Sequence, residues 1–277
     1  MNNLWAIAPN REHLVKAYSN NPKPRARRFN AAQFGSRSSP GDSGNLAIID
    51  VAGVLDGAEL SRIRRQLDEA VAARGVEAIL LNVYSDGGQF AGFPELADHI
   101  FSSRQRKLIV GHANAVAGSA AFVLLSATSF AAVTPSGQVG GLGIFAMHMD
   151  VSGMLKKDGI QITLFSAGKY KIDGHPYGPP SESYSEHTQS VVDHYHKMLI
   201  DRVAKYRGTR SNIVQYGYGQ GRMVLAKDAL EARMVDAVLP LDKFVQVLAN
   251  SSRTFAGQRA SASDRRNDVY NRIRYFL

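Results

Sequence analysis

Apolar residues in this chain fall into short, almost unbroken runs separated by segments of helical spacing. The run Leu46-Ala47-Ile48-Ile49-Asp50-Val51-Ala52-Gly53-Val54-Leu55 predicts a strand and its turn. Leu60, Ile63, Leu67 and the pair Ala70-Val71 share one helical face, which predicts a helix over 60–74. Ala78 to Val83 is a buried strand by the same logic, ending at Ser85-Asp86-Gly87-Gly88. A helix over 93–103, a strand over 108–110, a helix over 119–128 and a strand over 130–133 follow, the last closed by Pro135. Further strands are expected at 143–149 and 162–166, with 154–158 helical between them. A long amphipathic helix spans 183–207, and 224–238 holds another helix and a final strand. Leu4 to Tyr18 reads as a short amphipathic helix, and 20–43, rich in Pro, Arg, Ser and Gly, as a linker.

Apolar strands alternating with helices indicate an α/β protein with a largely parallel sheet covered on both faces. Active groups gather at the carboxyl ends of the strands in such sheets. The glycine pair and the segment leading into Ser119 both stand there. The chain divides into an arm (1–43), a folded domain (44–248) and a tail (249–277).

The stretch Leu108 to Val133 carries no Asp, Glu, Lys or Arg and is long enough to cross a bilayer. Its β-branched opening, two glycines, His112 and Asn114 argue instead for a buried strand followed by a buried helix. Met1 to Pro9 lacks the basic and long apolar regions of a signal peptide. No transmembrane segment is expected. The absence of cysteine excludes disulfides, thiolate catalysis and cysteine-based zinc sites. The net charge of +9 is concentrated in the arm and the tail, which suits solvated segments or contacts with acidic partners. No motif for sequence-specific nucleic-acid binding and no cofactor signature is present. Gly219-Gln220-Gly221 lacks a strand–helix phosphate context and reads as a turn. His187 and His194 lie two helical turns apart, a spacing that suits a solvated face rather than a metal.

Three short segments carry the candidate chemistry. Ala117-Gly118-Ser119-Ala120-Ala121 sets a serine at the mouth of an apolar helix. Gly168-Lys169-Tyr170-Lys171 brings a lysine out of a glycine turn. Gly87-Gly88 permits the close backbone approach that an oxyanion hole needs. A serine becomes a useful nucleophile when a neighbouring base takes its proton. A neutral lysine can do so, and apolar burial favours that form. Taken singly, each segment has a plainer reading: an N-cap serine, a surface lysine, a turn after a strand.

Their order is more specific. It runs strand–SerAspGlyGly–helix, strand–AlaGlySerAla–helix, Pro135, Val139-Gly140-Gly141-Leu142-Gly143-Ile144, Lys157-Asp158-Gly159-Ile160, then Gly168-Lys169-Tyr170-Lys171. This resembles the signal peptide peptidase A family of serine peptidases, within the ClpP/crotonase-like superfamily. The resemblance covers roughly 46–241, and the 52 positions from Ser119 to Lys171 match that family's spacing. It implies a core of repeated β-β-α units, Ser119 as nucleophile and Lys171 as general base. Gly87, Gly88 and Ala120 become the oxyanion amides. Asp86 replaces the family's loop proline, Ala120-Ala121 replaces Gly-Gly, Gly141 replaces a serine, and Arg233-Met234-Val235-Asp236 replaces Gly-Leu-Val-Asp.

Two rivals for the base stand in the sequence. Lys169 is two residues from Lys171, and His148, with Asp150 nearby, lies close to where ClpP has its histidine. The resemblance favours Lys171. It further implies a serine endopeptidase acting on protein or peptide substrates as a homo-oligomer, with the helix 183–207 as an interface candidate. Leu4-Trp5-Ala6-Ile7-Ala8-Pro9 is similar to the start of phage and prophage head-maturation members. That points to capsid, scaffold or portal substrates and to the host cytoplasm or a prohead as the place of action. Degradation of signal peptides and a non-catalytic assembly role on the same fold are the alternatives. Acyl-CoA chemistry is less suited, since a carboxylate is usual where this chain offers Ser and Lys.

Overall fold

The computed structural model describes residues 5–7, 46–254 and 261–273. At its centre runs β3 (Ala78–Gln89), a strand that includes the whole glycine motif as well as the apolar run before it. β2 (Leu46–Leu55) lies parallel along one edge, with Ile49 opposite Leu81. β4 (Leu108–Gly118) lies parallel along the other, with Gly111 opposite Leu81. β5 (Phe130–Val133) and β8 (Ala237–Val238) extend the sheet beyond β4, again parallel.

Helices α1 (Gly57–Ala72), α2 (Phe93–Ser103) and α3 (Ala120–Ser126) make the crossovers that parallel pairing requires. Asp56 starts α1 by accepting the Glu59 amide at 2.8 Å. Three short strands complete the sheet at the carboxyl end. β6 (Gln138–Gly140) runs parallel to the last residues of β4, and β7 (Met223–Leu225) runs antiparallel to β6. β1 (Trp5–Ile7) runs antiparallel to the end of β3.

Alternation along β3 sends side chains to two cores. Ile79, Leu81 and Val83 face a layer built from α1, α2, α3 and the later half of α5 (Glu182–Arg207), including Leu67, Phe93, Phe122 and Leu199. Ala78 and Leu80 face the opposite layer, where Phe244, Val247 and Leu248 of α8 (Leu241–Thr254) meet Val269 and Ile273 of α9 (Ala262–Ile273). Thus residues 261–273, within the stretch read as a basic tail, carry a helix that covers the second face. Asp236 joins these parts: it accepts from Arg207 at 2.8 and 3.0 Å, from the Ala131 amide at 2.8 Å and from the Tyr270 hydroxyl at 3.0 Å.

The uncharged stretch 108–133 forms β4, α3 and β5, and α3 is buried at every residue. No helix among the described residues is long and apolar enough to cross a membrane. Two expectations are corrected. Residues 143–149 and 162–166 form no strand. A strand needs a backbone partner, and residues 161–173 lie fully on the outside of the chain, with Phe165 92% exposed. The helix expected over 4–18 is a strand at Trp5–Ile7; the rest of that span lies outside the described residues. The chain between β6 and α5 contains only α4 (Ser152–Lys157) as a regular element.

Candidate active site

β4 ends at Gly118 and α3 begins at Ala120, so Ser119 alone makes the turn from strand to helix. It does so at φ 48° and ψ −114°, a conformation that non-glycine residues rarely adopt. Two bonds hold it there. The Ser119 amide donates to the Gly140 carbonyl at 2.6 Å, and the Ser119 carbonyl accepts from the Val123 amide at 3.0 Å. The side chain caps nothing, which sets aside the N-cap reading. Ser119 is fully buried and its Oγ has no hydrogen-bond partner among the described residues. A buried hydroxyl without a partner costs stability, so such a group invites a functional explanation.

The glycine pair reaches this place by register. Ser85 stands opposite Ala117, and two residues further along each strand stand Gly87 and Ser119. Gly87 has φ 110°, and its amide donates to Ser85 Oγ at 3.1 Å. Ser85 Oγ in turn donates to the Gly53 carbonyl at 2.5 Å, at the point where β2 shifts its pairing register. Gly88 faces the backbone of Leu55 so closely that a Cβ would sit 2.1 Å from its carbonyl oxygen. Glycine at 88 is therefore dictated by the β2–β3 contact. Ala120 is the first residue of α3, where an amide finds no acceptor in a preceding helical turn.

Lys171 is brought to the surface, in a turn whose amide donates to the Gly168 carbonyl at 3.1 Å. Lys169 is exposed too, with its ammonium 4.9 Å from the ring centre of Tyr170. Within one chain neither lysine bonds to Ser119 Oγ. His148 uses Nε2 on the Gly178 carbonyl at 3.1 Å, and Asp150 accepts from the Ser152 amide at 2.8 Å. Ser119 and the glycine loop thus stand at the ends of the neighbouring strands β4 and β3, and Ser119 Oγ has no hydrogen bond to any candidate base. Among the described residues no group of three His, Asp or Glu side chains gathers as a metal site. His187 and His194 are exposed on α5.

Two contributors escaped the sequence reading. Gly140 anchors the Ser119 turn, and its φ of 114° is the signal that only the fold reveals. Ser85 organises the glycine loop through two hydrogen bonds; its place beside Gly87-Gly88 was noted, but not its role.

Comparison with known proteins fits this geometry. Residues 101–254 match the model of peptidase family S49. The head-tail preconnector protein GP5 of Enterobacteria phage P21 is 30% identical over 185 residues, covering 67% of this chain and 36% of that protein. Capsid assembly protease C of Escherichia phage lambda is 28% identical over 186 residues, covering 67% of this chain and 42% of that protein. The chain thus spans less than half the length of these two relatives. A mutant of the 1510-N membrane-bound stomatin-specific protease shares the fold, with a TM-score of 0.50 at 12% identity over 73% of this chain and 84% of that one. On the family match and the identity to the phage protein together, this chain belongs to peptidase family S49.

Proposed function

We propose that the chain is a serine endopeptidase in which Ser119 attacks a peptide carbonyl and Lys171 is the general base. The observation that carries the reading is the Ser119 hydroxyl, buried, without a partner among the described residues and held on a strained turn at the end of the strand next to the one that bears the glycine loop. In the first step Lys171 Nζ takes the hydroxyl proton as Oγ bonds to the carbonyl carbon. The developing oxyanion meets the Ala120 amide and an amide of Gly87 or Gly88. Gly87 already gives its amide to Ser85 Oγ, so Gly88 is the better placed of the two unless that bond opens. Collapse breaks the C–N bond, the leaving amine takes the proton from Lys171, and water then hydrolyses the acyl-enzyme.

Lys171 lies on a segment with no shelter in the single chain. Ile160, Ile162, Leu164 and Phe165 are exposed around it, and the first half of α5 buries no residue. We read this surface as the contact between copies of the chain, and assembly as the event that brings Lys171 to a Ser119. The substrates are structural proteins of a phage or prophage head, cut within a prohead. The phage relatives, one of them described as a capsid assembly protease, support that choice.

The test is proteolysis by wild type, Ser119→Ala and Lys171→Ala on neighbouring head proteins and on signal peptides, read by intact mass. Cleavage of head proteins by wild type alone supports the proposal. Equal cleavage by all three disproves the dyad, and a preference for signal peptides disproves the assignment to heads.

A further inference from the structure

The edge of β3 beyond its last pair with β4 is already occupied. β4 follows β3 as far as the pair Ser85–Ala117 and then turns to β6, with Gly118 opposite Gly140. β2 holds the other edge of β3 to its end, through Val54–Gly87 and Leu55–Gly88. The edge that β4 vacates is taken by β1, with Ile7 opposite Gly87, Ala6 opposite Gly88 and Trp5 opposite Gln89. Ile7 thus pairs two residues beyond Ser85, and Ser119 follows two residues after Ala117, the partner of Ser85.

A peptide bound for attack by Ser119 must lie extended, with its carbonyl between Oγ and the glycine-loop amides. Strand addition to a free sheet edge provides that pose through backbone hydrogen bonds, which tolerate many sequences. Trp5–Ile7 makes this kind of pairing, antiparallel to β3. We infer that the segment Trp5–Ile7 is an intramolecular occupant of the substrate edge, which an extended substrate peptide must displace before Ser119 can act on it. This rests on the peptidase reading above.

Two further observations support it. Ser119 is fully buried, so some element must move before a peptide reaches Oγ. Among the described residues β1 is attached to the sheet through β3 alone and over three residue pairs, which makes it the element easiest to release. It belongs to the same chain as β3, so it meets this edge without diffusion from solution. A strand held over three residue pairs competes with substrate without preventing turnover.

The experiment uses the full chain and the double substitution Ala6→Pro with Ile7→Pro, which removes both backbone donors that β1 could offer at these positions. Trp5 is the single tryptophan, so its emission reports this segment alone. In the Ser119→Ala background, saturation with an unstructured substrate peptide is expected to shift Trp5 emission toward that of the double-proline protein. In the active background the double substitution is expected to lower the apparent KM about tenfold with kcat unchanged, as release of a mostly closed site requires. A synthetic peptide of residues 1–10 then inhibits the double-proline protein competitively. Unchanged Trp5 emission on peptide binding, with an unchanged KM, overturns the inference while leaving the peptidase reading intact. A Trp5 shift in a protein without Ser119-dependent hydrolysis overturns the peptidase reading and leaves the docking in place.

Discussion

The amide of Ser119 donates to the carbonyl of Gly140 across 2.6 Å, tying the turn that presents the hydroxyl to β6. Gly140 is fitted to that task by its φ of 114° and by the tight space around it, where a Cβ would lie 3.1 Å from the Arg222 carbonyl. Alanine at 140 strains the backbone and shifts the acceptor. Gly140→Ala is expected to reduce kcat by about tenfold or more, as misplacement of a reacting group does, with a smaller effect on KM. Steady-state kinetics on a peptide substrate checks this, and a change confined to KM contradicts it.

Strain at Ser119 itself has a measurable counterpart. A non-glycine residue at φ 48°, ψ −114° raises the energy of the folded state by on the order of 1–3 kcal/mol. Ser119→Gly is expected to gain about 1 kcal/mol in stability while proteolysis disappears, because glycine tolerates the conformation. Urea unfolding of the two proteins gives the comparison. A loss of stability would mean that the turn is relaxed.

The Asp236 junction should prove far more costly to disturb. Its carboxylate and the Arg207 guanidinium are both largely buried, at 13% and 8% side-chain exposure. Removing one charge leaves the other buried without compensation. Asp236→Asn is expected to cost about 3 kcal/mol, the scale for breaking a buried pair. The docking of α9 should weaken with it, since Asp236 also receives the Tyr270 hydroxyl. Burial, and after it the Asp236 charge, push the Tyr270 hydroxyl up to about 12, so Tyr270 remains a donor at any working pH. Hydrogen exchange in 262–273 reports the loosening.

Acid should destabilise the fold through His112. Its Nε2 bonds the Leu239 carbonyl at 2.9 Å, so that nitrogen carries the proton, and Nδ1 is buried without a partner among the described residues. Burial holds this imidazole below its ordinary value, against the smaller opposing effect of the Leu239 bond. The folded state therefore binds the proton less readily than the unfolded one. Its stabilising contribution is complete above roughly pH 6.5 and declines as pH falls below that, by at most about 1.4 kcal/mol per unit. His112→Gln keeps a donor and removes the titration, so its urea midpoint should vary less between pH 7 and 5 than that of wild type. Parallel pH curves would assign the acid sensitivity elsewhere.

Much of the fold could be read from residues because the central strands are apolar on both faces. Ala78–Val83 and the uncharged stretch after Leu108 admit few arrangements other than buried parallel strands. The serine turn and the glycine loop were legible for a related reason. Both follow such strands, and these strands pair as far as Ser85 and Ala117, two residues short of Gly87 and Ser119. Segments whose partners lie elsewhere in the chain or outside it were not legible. Ile162 to Ser166 has strand composition but pairs with no strand among the described residues, and it remains irregular and exposed. Trp5–Ile7 has helical spacing but finds an open edge, and the edge prevails over the pattern. The left-handed backbone of Gly140 and of Arg233 depends on the tertiary path, which one residue's identity does not encode. Arg233, at φ 58°, occupies the place where the resembling family has glycine, and its backbone keeps the conformation that glycine would favour.

The exposed run 161–173 bears on when the enzyme works as well as how. On our reading a diluted chain keeps its nucleophile buried and its base exposed and unjoined to it, and is chemically silent. Turnover per chain would then rise with protein concentration until the copies are saturated with one another. If the proposal holds, such a chain needs no separate inhibitor during synthesis, because its own local concentration is the signal to begin.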